Sequence, residues 1–76
     1  MVLKLNPNDF EAYDNRAVVK LSLEDQRGAI EDCNESIKIQ PNHAAPFSIR
    51  GRAKSKINDA IGAMEDFSTA IQIDPT

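Results

Sequence analysis

The sequence repeats itself at a fixed interval. Pro7, Pro41 and Pro75 stand 34 residues apart. The same shift lays Arg16 on Arg50, Lys20 on Lys54, Asp25 on Asp59, Gly28 on Gly62 and Ala29 on Ala63. It also lays Glu31 on Glu65, Asp32 on Asp66, Ile37 on Ile71 and Ile39 on Ile73. Similar residues fill further positions, as in Tyr13 with Phe47, Ala17 with Gly51, Leu23 with Ile57 and Ile30 with Met64. Composition alone gives about two identities in one comparison of this length, so the period is real. Such a period constrains the fold more than any other feature, because each unit must bury its apolar face against a neighbour.

Within one period the apolar spacing is helical. Tyr13, Ala17 and Leu21 recur every four residues, with Val18 and Val19 broadening the stripe. A second helical pattern runs through Ala29, Ile30, Cys33, Ile37 and Ile39. Residues 22–25 between them suit a short turn, and Asp25 is placed to cap the second helix, as Asp59 is in the next unit. Asn8, with Glu11 reaching back, is expected to open the first helix. Asn42 or His43 takes that place in the second unit, with Pro46 in the first turn, where its missing N–H costs little. The second helices should end ahead of Pro41 and Pro75, since proline disfavours helical geometry in the residue before it. Small residues at 28, 29, 62 and 63 suggest close crossing of helices.

Composition then narrows the class. A chain of 76 residues buries only about 60% of its unfolded surface. Its one cysteine, Cys33, forms no internal disulfide and fits a reducing, cytoplasmic setting. No apolar run reaches membrane-spanning length, and residues 1–7 lack the apolar stretch of a signal peptide. A net charge of −3 suits nucleic acid poorly. Arg50, Arg52, Lys54 and Lys56 look like a basic patch in one dimension, but alternate residues of a helix lie on different faces.

Catalytic constellations are missing from the pattern. Cys33 sits on the core stripe and reads as a buried thiol, and His43 lies in the link between units with no orienting carboxylate in triad-like placement. One histidine and one cysteine do not make a zinc site of ordinary spacing. The neighbouring acids Glu31-Asp32 and Glu65-Asp66 point in different directions, and no glycine-rich phosphate loop follows a strand. The chain reads as a non-enzyme with no cofactor and no metal. Arg16 with Asp32 and Arg50 with Asp66 recur at one phase, which predicts an ion pair joining the two helices of each unit.

The pattern resembles the tetratricopeptide repeat family across nearly the whole chain. The matching residues are an aromatic in the first helix (Tyr13, Phe47) and a small residue four later (Ala17, Gly51). In the second helix they are an alanine (Ala29, Ala63), a core residue four later (Cys33, Phe67), a small residue (Ser36, Ala70), two aliphatics and the closing proline. Arg16, Arg50, Lys20, Lys54 and Cys33 depart from the family's usual residues. The resemblance implies an all-α fold, in which helix–turn–helix repeats of 34 residues stack as a short right-handed α-solenoid. Residues 1–9 would be the tail and link of a preceding repeat, 10–43 the first repeat and 44–76 the second, together one domain cut from a longer array.

The same resemblance implies a protein or peptide partner held in a concave groove lined by the first helix of each repeat. Carried over by position, the groove residues are Asp14, Asn15, Val18 and Ser22, then Ser48, Ile49, Arg52 and Lys56, with Glu11, Leu21, Ala45 and Ser55 beside them. A short segment with apolar and acidic side chains would suit them. The sub-family that clamps a C-terminal carboxylate is disfavoured: Asn15 matches it, but Glu11 and Ile49 stand where lysine and asparagine are expected. The alternative is self-assembly through uncapped repeat ends, with Ala60, Met64, Phe67 and Ile71 as the associating face of a homo-oligomer formed by dimerisation or helix exchange. Neither nucleic acid nor membrane is expected as a partner.

Overall fold

The computed structural model describes residues 9–75. Four helices follow one another: α1 (Phe10–Ser22), α2 (Gln26–Ile39), α3 (Ala44–Lys56) and α4 (Ala60–Ile73). α1 packs against α2 and α3 against α4, and α2 packs on α3 to join the two hairpins. Of the expected tail and link of a preceding repeat, residues 1–9, all but Asp9 lie outside the described residues.

Local chemistry sets each boundary. Asp25 caps α2 by accepting from the Gly28 N–H at 3.0 Å, and Asp59 caps α4 from Gly62 at 2.9 Å. The turn between paired helices is a Schellman motif in both units. Asp25 N–H donates to Lys20 C=O and Glu24 N–H to Leu21 C=O, and Asp59 and Asn58 repeat this on Lys54 and Ser55. The motif needs a left-handed residue, supplied by Glu24 (φ 61°) and Asn58 (φ 66°). Gln40 and Asp74, each preceding a proline, are extended and end α2 and α4.

Two expected caps differ. Asp9, one residue beyond Asn8, caps α1 by accepting from Ala12 N–H at 3.0 Å; Asn8 itself lies outside the described residues. His43 takes the cap position of α3 but gives no side-chain cap, because its ring turns back toward α1. The glycines also have a reason other than the one expected. A methyl group on Gly28 or Gly62 would overlap the capping carboxylate of Asp25 or Asp59, so both clear room for the cap, and Gly28 alone also clears room for a second helix, through the Lys20 stem of α1.

The core is built from small residues. Ala17, Leu21, Ala29, Cys33, Ile49 and Ala53 form one buried cluster drawn from α1, α2 and α3, with Ile30 packed on it. Gly51 lies under Phe67, so closely that a Cβ would come within 2.8 Å of the ring. Val18 and Val19 leave the stripe assigned to them and are exposed, since α1 turns only its 14, 17 and 21 positions inward.

Candidate partner-binding face

Two charge clusters fix how the hairpins close. Arg16 grips Asp32 with both arms, Nε to Oδ2 at 2.8 Å and Nη2 to Oδ1 at 2.6 Å, and Lys20 adds a contact at 3.1 Å. Arg50, Lys54 and Asp66 repeat the arrangement at 2.8, 2.8 and 3.1 Å. Each guanidinium also lies over an aromatic ring, Arg16 at 5.7 Å from the Tyr13 centroid and Arg50 at 5.5 Å from that of Phe47. Burial pushes the Asp32 and Asp66 carboxyls up, but the hydrogen bonds from their arginine and lysine partners outweigh it and hold both below the ordinary carboxylate range. The expected ion pairs are therefore present in both units. They consume Arg50 and Lys54, leaving Arg52 and Lys56 exposed on another face of α3.

The helices pack unequally. α1 touches α3, whereas α2 and α4 share no contact. The layer made by α1 and α3 is thus the tighter side of the stack. Its free surface carries Asn15, Val18 and Ser22 from α1, and Arg52 and Lys56 from α3, all exposed, with Ser48 half-buried. Among the described residues neither Arg52 nor Lys56 takes part in an ion pair.

Two of the assigned groove residues lie beneath that surface. Ile49 belongs to the core cluster because it fills the joint between the hairpins. Asp14 is only 6% exposed, and its Oδ2 meets His43 Nε2 at 3.0 Å. Leu21 is buried as well. The self-association residues Ala60, Met64, Phe67 and Ile71 are exposed along α4.

The Asp14–His43 contact escaped the sequence. It ties the link between units to α1, with the His43 ring edge-on to Phe10 at 5.0 Å. A separate groove of about 790 Å³ is lined by His43, Ala45, Ser48, Phe67, Ala70 and Ile71 among others. Asn34 was missed too: its Oδ1 accepts from Arg50 Nη1 at 2.7 Å, linking α2 to the second charge cluster. The only sequence signal for either was a break in the period, since 14 and 48, and 34 and 68, hold different residue types.

Residues 10–43 match the family model described as the tetratricopeptide repeat. They form a tetratricopeptide repeat. No curated protein matches the chain. Tetratricopeptide repeats generally mediate protein–protein interaction, and they are generally not catalytic. The Cys33 thiol inside this repeat is fully buried, and burial pushes its pKa up to about 12, which keeps it protonated and unreactive. Among the described residues no helix is long and apolar enough to cross a membrane.

Proposed function

We propose that the chain is a non-catalytic module that holds an extended protein segment along the inner layer formed by α1 and α3. The observation that carries this reading is the asymmetry of packing: α1 meets α3 while α2 and α4 stand apart, which supports the first helices as the inner, partner-facing side. On that side Ser48, Arg52 and Lys56 recur every four residues, beside Val18 and Asn15 of the neighbouring helix. Two unpaired cations next to an aliphatic side chain favour a segment that alternates acidic and aliphatic residues.

Selection from a displayed peptide library tests the proposal. Enriched peptides should combine Asp or Glu with aliphatic residues. The double variant Arg52→Glu, Lys56→Glu should weaken them by about tenfold or more, at unchanged helicity. Peptides that bind the double variant as well as the parent would refute the reading.

A further inference from the structure

Beyond the inner layer, α4 carries a surface that the hairpin packing does not use. Ile61 is 76% exposed, Met64 69% and Ile71 62%. With Ser68 they are spaced by three, four and three residues, one continuous seam along the helix, and the half-exposed ring of Phe67 flanks it.

The internal joint shows what a further repeat would cover. The counterparts of Met64, Ser68 and Ile71 in α2 are Ile30, Asn34 and Ile37, and α2 is the helix that packs on α3. Ile61 has no such explanation, because its counterpart is Arg27, exposed and charged. The opposite end of the stack is also a poor match. Asn15 stands where the joint uses Ile49, and Val19 where it uses Ala53. Head-to-tail stacking would therefore bury an asparagine and leave Ile61 in water.

The seam is complementary to itself. Run antiparallel about a point near residue 66, it places Ile61 opposite Ile71 and Met64 opposite Ser68. Glu65 at its edge falls opposite Phe67 rather than another carboxylate. At roughly 200 Å² for a fully exposed large apolar side chain, these residues offer on the order of 500 Å² per copy. A symmetric pair then buries about 1,000 Å², the lower bound of a specific interface. We infer that α4 pairs with α4 of a second copy, antiparallel and two-fold symmetric, through Ile61, Met64, Phe67, Ser68 and Ile71.

Such a dimer dissociates on dilution, so sedimentation equilibrium over a wide concentration range is the measurement. The parent chain should approach the mass of two copies at high concentration. Met64→Glu should stay at one copy with unchanged helicity, since the position is exposed, and Val19→Glu at the opposite end should dimerise like the parent. Cysteine cross-linking fixes the direction. Ile61 sits ten residues from Ile71, about 15 Å along a helix. Ile61→Cys and Ile71→Cys should therefore not cross-link alone but should do so when mixed; Cys33 is buried and does not compete. A parent chain of one-copy mass throughout would overturn the inference. So would loss of association in Val19→Glu, which signals head-to-tail stacking, or cross-linking of either cysteine variant with itself.

Discussion

In the first unit, Ala17 and Cys33 occupy the register that Gly51 and Phe67 occupy in the second. One pair is alanine with a small thiol, the other glycine beneath a benzyl ring, and both let the helices of a hairpin approach closely. The charge clusters differ much less. Arg16, Lys20 and Asp32 are reproduced residue for residue by Arg50, Lys54 and Asp66, with bond lengths alike to within 0.2 Å. The repeat thus tolerates exchange of volume between facing positions but keeps its polar clasp. A buried carboxylate with three bonds has one satisfactory geometry, whereas an apolar gap has several fillings.

The clasp should show the largest effects. Asp66→Ala leaves Arg50 and Lys54 without their carboxylate in the more enclosed cluster, and is expected to cost about 3 kcal/mol. Asp32→Ala should cost less, about 2 kcal/mol, because Arg16 is more open to water than Arg50. Urea unfolding at constant slope measures both. Equal losses would erase the distinction between the units. Acid should attack the two clasps together. Both carboxyls lie below their unfolded value, so the stability they confer is present above the ordinary carboxylate range. It is lost as pH falls through the lowered folded values. Helicity followed by circular dichroism should therefore drop steeply in acid, and less steeply in the double variant Asp32→Asn, Asp66→Asn.

Exchanging volumes tests the other half of the comparison. Cys33→Phe puts the second unit's ring into the first unit's fully buried site and should cost about 2 kcal/mol by overpacking. Adding Ala17→Gly imports the matching partner and should recover part of the loss, although glycine alone costs about 1 kcal/mol in a helix. A double variant no better than the sum of the single ones would show that the two positions do not exchange volume.

Ser36 offers a smaller change of opposite sign. Its hydroxyl is fully buried without a hydrogen-bond partner, and its counterpart is Ala70. Ser36→Ala should therefore stabilise the chain by about 1 kcal/mol, read as a higher Tm. A fall in Tm would show that the hydroxyl is satisfied in solution.

These contrasts also explain what was legible beforehand. The period, the prolines and the capping aspartates act within a few residues of themselves, so the helices and turns could be read from sequence alone. The Arg–Asp pairs could be read because they recur at one phase in both units. The inner face could not be read position by position. Whether Asp14 and Ile49 face a partner or the core depends on how closely α1 approaches α3, and that distance is set by packing between units. The periodicity of one helix does not contain it. His43 eluded the reading for a related reason: its role as the ring between Asp14 and Phe10 belongs to the joint, and the described chain contains a single joint of that kind.

The smallest predicted effect divides the units most finely. Gly28 and Gly62 sit at the third position of their helices, where each N–H meets the cap. Alanine gains up to about 1 kcal/mol of helix propensity there, but its methyl group displaces the capping carboxylate, a loss of similar size. At Gly62 the nearest atoms all belong to Asp59, so gain and loss should nearly cancel. At Gly28 the Lys20 stem also lies 2.9 Å from the added methyl group, and the same lysine holds Asp32. Gly28→Ala therefore disturbs a cap and a clasp together. It should destabilise by about 1 kcal/mol, against no more than a few tenths for Gly62→Ala. Thermal melts of the two variants side by side decide the matter: equal shifts would mean that Lys20 swings aside without loosening its hold on Asp32.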